Sequence, residues 1–160
     1  MSDPPKKNQF IAHGTAAQNR KARHDYKILS TIEAGLVLRG VEVKSLRLGR
    51  AQLNEAWAGE RDGELYLFNM YIPEYQGGVL SRFETRAPRK LLVKRKELRQ
   101  IHAAIARERR TVVPLEVFFN PRGLAKVVLG IAEGKQKADK RQAEAARDWQ
   151  RDKARLLRNK

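Results

Sequence analysis

The chain has no cysteine among its 160 residues. Disulfides and thiolate zinc sites are therefore excluded, and a reducing cytoplasm suits it. Its three histidines, His13, His24 and His102, are scattered without metal-ligand spacing or an accompanying acidic cluster, so no metal site is expected. No apolar run approaches the roughly 20 residues of a membrane span, and the opening Met-Ser-Asp-Pro-Pro-Lys-Lys lacks the apolar region of a signal peptide. A soluble, cytoplasmic protein is the expectation. A phosphate-binding loop, a dinucleotide glycine pattern and a Gly-x-Ser-x-Gly elbow are all missing, so nucleotide hydrolysis and acyl transfer lose their usual signatures. Aromatic residues are only 7% of the chain and fall mostly in strand-like runs that a core would claim.

What the chain has in excess is positive charge, a formal +16 at pH 7. The excess is uneven. Residues 1–24, 82–110 and 134–160 are basic, whereas 25–81 and 111–133 are close to neutral. A near-neutral body with basic patches and a basic tail suits a polyanion, because each neutralised phosphate releases condensed counterions. No segment joins a wide apolar face to a Lys/Arg face, which places nucleic acid ahead of an acidic membrane.

The length suits one hydrophobic core with tails. Residues 1–18 carry Pro4, Pro5, Gly14 and small polar residues with no period, which predicts a flexible segment. Tyr26, Ile28, Ser30 and Ile32 alternate, Gly35 punctuates, and Leu36, Leu38 and Val41 with Val37 and Val43 form a second run, predicting a hairpin. Leu53, Ala56 and Ala58 lead into a polar turn at 59–63, followed by a strand through Leu65, Leu67 and Tyr71. Residues 73–88, with Pro73, Gly77, Gly78 and Pro88, predict a long exposed loop. Leu91, Leu98 and Ile105, with Ile101 beside them, mark one face of a helix over about 92–110, and Lys96, Arg99, Arg107 and Arg110 mark the other. Val112 to Phe119, the turn Asn120-Pro-Arg-Gly123 and a return over Ala125 to Ile131 predict another hairpin. About six short strands with one late helix and no βαβ alternation predict a mainly β fold with some helix, which the pattern leaves open between a small closed barrel and an open α+β sheet. In 134–160 the apolar content is alanines plus Trp149, Leu156 and Leu157, so this basic tail is predicted to be disordered when free.

Four charged blocks stand out: residues 19–26, 40–49, 89–98 and 134–141. Within the second, Glu42-Val-Lys44 follows an apolar run and as a strand would put a carboxylate and a lysine on one face, as metal-dependent nucleases do. Asp25 or Glu33 would have to supply the further carboxylate. The plainer reading is a surface Glu–Lys pair at a strand end. The helix face of Lys96, Arg99, Arg107 and Arg110 has few acidic neighbours, which favours a phosphate partner.

In order and spacing the four blocks resemble the SsrA-binding protein family, SmpB, the partner of transfer-messenger RNA in bacterial ribosome rescue, over about residues 10–158. The resemblance implies an oligonucleotide-binding-type β-barrel over 19–133 with flanking helices, and a non-enzymatic protein without cofactor. It implies binding of the transfer-RNA-like domain of transfer-messenger RNA, delivery with elongation factor Tu to stalled ribosomes, and a tail that becomes helical in the empty messenger channel and decoding centre of the small subunit. The family's RNA-binding positions correspond here to Asn19, Glu33 and Leu92, with Lys21 and Arg23, Glu42, Lys44, Ser45 and Arg47, and Arg89 and Lys90 carried over from the same blocks. Its ribosome-contacting tail corresponds to Gly134, Lys135, Asp139, Lys140, Arg141 and Trp149, with Lys153 and Arg155 as further cations. Gln136 and Ala138 depart from the family pattern. The alternatives are a general ribosomal or single-strand RNA-binding barrel, which would present exposed stacking aromatics, and a nuclease using Glu42 and Lys44.

Overall fold

The structure, a computed structural model, describes residues 10–75, 83–134, 151, 154 and 155. Strands β1 (Gly14–Gln18), β2 (Tyr26–Leu36), β3 (Trp57–Arg61), β4 (Glu64–Phe68), β5 (Arg89–Leu92), β6 (Thr111–Phe119) and β7 (Ala125–Gly134) alternate with helices α1 (Arg20–Asp25), α2 (Gly40–Leu46) and α3 (Arg95–Ala106). All strand pairs are antiparallel, in the order β1-β6-β3-β4-β5-β2-β7, and β6 also pairs with β7. That last pairing closes six strands into a ring, with β1 added to β6. The closed alternative left open by the sequence is the one adopted, and closure removes the exposed edges that an open sheet would present.

Period-two alternation fills the ring. Ile32, Ala34 and Leu36 of β2, Leu65 and Leu67 of β4, Leu91 of β5, Val117 and Phe119 of β6 and Val127 and Leu129 of β7 are buried in one cluster. Two helices cap opposite ends. Leu46 of α2 enters the cluster near the β6–β7 turn, and Ile101 and Ala104 of α3 enter it near the start of β6. A smaller cluster lies on the outer face, where Ala22 of α1 covers Val113, Leu115 and Ala132.

Several expectations change. Residues 14–18 form β1, paired along β6, rather than a flexible segment. The run after Gly35 is not a second strand: β2 continues through Gly35 to Leu36, and residues 40–46 are helical. A helix-starting interaction explains the switch, because the Arg39 amide donates to Glu42 Oε1 at 3.0 Å, which satisfies a donor that the first turn leaves open. Residues 59–61 belong to β3, and the reversal is a two-residue turn at Asp62 and Gly63, both at positive φ (55° and 78°), the geometry that suits strand twist. The late helix is shorter than expected, because Leu91 and Leu92 are strand and Arg107 follows the last helical residue. The part of the 73–88 loop that is described is tied down at its far end, where the Ile72 amide donates to Thr85 O at 2.9 Å and Phe83 is buried. The Asn120–Gly123 turn is as expected, with Asn120 Oδ1 accepting from Arg122 and Leu124 amides at 3.0 and 2.9 Å.

Candidate nucleic-acid interface

Asn19 begins the outer face, from inside. It is only 2% exposed, and its Oδ1 accepts from the Ala22 amide at 3.0 Å, capping α1. Its Nδ2 donates to Leu53 O at 3.1 Å and to Pro114 O at 2.9 Å, while its own amide donates to Leu115 O at 2.9 Å. One side chain thus ties α1 to β6 and to the segment before β3. Because Ala22 faces the outer cluster, Arg20, Lys21, Arg23 and His24 are held outward in solvent.

Further along the same outer face, Glu33 and Leu92 come together although they lie on different strands. Gly35 pairs with Leu92 on β5 and with Lys126 on β7, and Glu33 pairs with Val128 on β7. A Cβ on Gly35 would stand 3.4 Å from Leu92 Cβ, so the missing side chain leaves open a shallow groove bordered by Glu33, Leu92, Lys94, Glu97 and Lys126. Leu92 is 54% exposed there, an apolar side chain between cations and a carboxylate. That combination can take an unstacked base, with phosphates on the lysines and an amino group on Glu33. Lys94 and Lys126 were missed in the sequence reading; their place beside Glu33 and Leu92 follows from how β5 and β7 pair with β2, which no local motif carries. Arg20 was missed as well and lies beside Arg23 on α1.

The 40–49 block is architecture instead. Glu42, 5% exposed, accepts from Arg89 Nε at 2.5 Å, and Arg89, 3% exposed, also donates to Met70 O at 2.6 Å and to Thr85 O at 3.2 Å. Buried Ser45 donates to Pro73 O. Arg47 donates through Nη1 to Ile11 O and Ala12 O at 2.8 and 2.9 Å and through Nη2 to Gly123 O at 3.1 Å, with its guanidinium carbon 4.1 Å from the centre of the Phe119 ring. The surface Glu–Lys pair on a strand is therefore corrected. Glu42 points inward from a helix to Arg89, while Lys44 is exposed, its Nζ 5.9 Å from the centre of the Tyr75 ring. A carboxylate already matched by a buried arginine is not poised to hold a divalent ion, and no group of three acidic or histidine side chains gathers elsewhere among the described residues. Lys90 faces outward and pairs with Glu64 at 3.1 Å, a contact that holds the Glu64 carboxyl below its usual range first by hydrogen bonding and then by charge.

The basic helix face is smaller than expected. Lys96, Arg99 and Arg107 are exposed, but Arg110 lies past the helix and reaches Glu133 at 3.1 Å and Glu108 at 3.7 Å. Gly134 is the last residue of β7, opposite Tyr26, rather than the first of a tail. Arg155 is helical and exposed. Lys135, Asp139, Lys140, Arg141, Trp149 and Lys153 lie outside the described residues, as do Gln136 and Ala138.

A closed antiparallel ring, capped by helices at its ends and carrying a cation-flanked groove on its outer face, is an oligonucleotide-binding-type β-barrel. A family model described as SmpB protein matches residues 16–159, and the chain belongs to the SmpB family. It is 71% identical to an SsrA-binding protein of Acidiphilium cryptum (strain JF-5) over 98% of both chains. It is 55% identical to an SsrA-binding protein of Rhodospirillum rubrum, over 96% of both chains. A solved structure described as "tmRNA-SmpB: a journey to the center of the bacterial ribosome" is 48% identical, with a TM-score of 0.63 over 75% of this chain and 84% of that one.

Proposed function

We propose that this protein binds the transfer-RNA-like domain of transfer-messenger RNA through the outer face of its barrel and brings it to stalled ribosomes for trans-translation. The observation that carries the reading is the meeting of Glu33 and exposed Leu92 in one groove, on the face where buried Asn19 sets the cations of α1. Glu33, Leu92, Lys94, Lys126, Lys21 and Arg23 contact the RNA directly. Asn19, Glu42, Ser45, Arg47 and Arg89 position those contacts by holding the barrel and its helices, and Lys44 and Lys90 add charge at the surface.

The protein acts by binding and not by catalysis. Residues 135–160, with ten basic and four acidic residues, occupy the empty messenger channel and decoding centre, where Lys140 and Arg141 hold ribosomal phosphates and Trp149 anchors an induced helix. Elongation factor Tu accompanies the complex in the cytoplasm. A gel-shift competition tests the RNA step: the structured RNA should outcompete oligouridine, and binding should weaken as salt rises. Displacement of the structured RNA by equal oligouridine would favour a general single-strand binder. Reconstituted peptide tagging tests the tail, since a chain cut after residue 134 should keep RNA binding and lose tagging.

A further inference from the structure

The β3–β4 hairpin turns aromatic side chains outward, away from the barrel interior. Trp57 is 47% exposed, and its ring stacks on Phe68 with centroids 4.5 Å apart and planes at 24°. Tyr66 stands 6.2 Å beyond Phe68. The ring lies flat over Gly59, where a Cβ would come within 2.6 Å of Trp57 Cζ3. Glycine there is what lets the indole lie against the strand while the residue stays half-exposed.

Trp57 also lines a groove shared with Lys21 and Asp25 of α1, Tyr26 at the start of β2, and Glu55. A phosphate alone gains little in such a groove, because carboxylates offset the lysine. A base fits it better: the indole offers a stacking face, the carboxylates accept from exocyclic amino groups, and Lys21 pairs with the attached phosphate. Trp57 stays half-exposed, and the groove it lines also includes Asn19 and Lys21.

Resting on the RNA-binding reading above, we infer that Trp57, backed by Phe68, is a stacking platform for an unpaired base of the bound RNA. The test uses the full-length chain and the transfer-RNA-like domain of transfer-messenger RNA. The chain has two tryptophans, so in a Trp149→Phe background Trp57 is the sole indole, and its emission should be quenched as the RNA binds. Trp57→Ala should lower affinity about 5- to 150-fold, the span of one base–aromatic stack, whereas Trp57→Phe should keep most of it. Unchanged emission at saturation, or parental affinity in Trp57→Ala, overturns the platform while leaving the RNA reading in place. If Trp57→Ala melts far below the parent, the emission measurement decides. Failure of the unsubstituted chain to bind the RNA overturns the RNA reading, and the platform with it.

Discussion

The α2 block and the groove around β2 and β5 both combine carboxylates, cations and apolar residues, yet the fold treats them in opposite ways. In α2 the charges turn inward: Glu42 meets Arg89 at 2.5 Å, and Arg47 spends its guanidinium on three carbonyls and the Phe119 ring. In the groove the charges stay in solvent and the apolar residue, Leu92, stays with them. A buried pair is maintained because either charge alone in the interior costs several kcal/mol, so its effect is on folding. An exposed leucine among charges adds little to folding, and in the proposed function its effect is on the RNA.

Breaking the first region should have the largest effect. Glu42→Ala leaves Arg89 buried and unmatched and should cost about 3–5 kcal/mol, a drop of roughly 10 °C in melting temperature. Intrinsic RNA affinity, measured on the fraction that remains folded, should change little. Asn19→Ala comes next. It removes the α1 cap and strands two carbonyls, so a loss of about 2 kcal/mol is expected by denaturant titration. RNA affinity should fall as well, since the α1 cations lose their setting; Asn19→Asp keeps the cap acceptor without the two donors and should fall between.

The second region should separate from the first by inverting that pattern. Leu92→Ala should leave the melt within about 0.5 kcal/mol of the parent and weaken binding of the transfer-RNA-like domain about tenfold, the worth of burying such a side chain on a partner. Lys21→Ala should weaken binding less and should lower the salt slope by about one unit. The smallest effect concerns Glu64, whose carboxyl Lys90 holds low. Because the folded value is depressed, the pair's contribution is present above the ordinary carboxylate range and is lost as pH falls through the lowered value. Lys90→Ala should return the Glu64 titration, followed by NMR, to the ordinary range.

Strand periodicity was readable in the sequence wherever it ran without competition. The β6–β7 hairpin and the alternation of β2 are examples, and so is the apolar face of α3. It misled at Val41 and Val43, whose alternation imitates a strand; the helix there depends on Glu42 accepting from the Arg39 amide and on Arg89, far away in sequence, receiving its carboxylate. β1 carried no signal, since Gly14, Thr15, Ala16 and Ala17 have no bulky side chain, and only β6 gives them a partner. The candidate site was legible as residue types in blocks, through the family resemblance, but not as geometry. Nothing local says that Asn19 faces inward while Leu92 faces out, or that Trp57 lies over Gly59 and stays half-exposed; register and burial decide these.

The most direct test is an amide chemical-shift titration of the isotopically labelled protein with the transfer-RNA-like domain. Shifts should concentrate at residues 20–25, at Glu33, at Leu92 to Lys94 and at Lys126, and should be small across Gly40–Leu46. Large shifts confined to Gly40–Leu46, with the outer face of β2, β5 and β7 unmoved, would contradict the assignment of the RNA to that face.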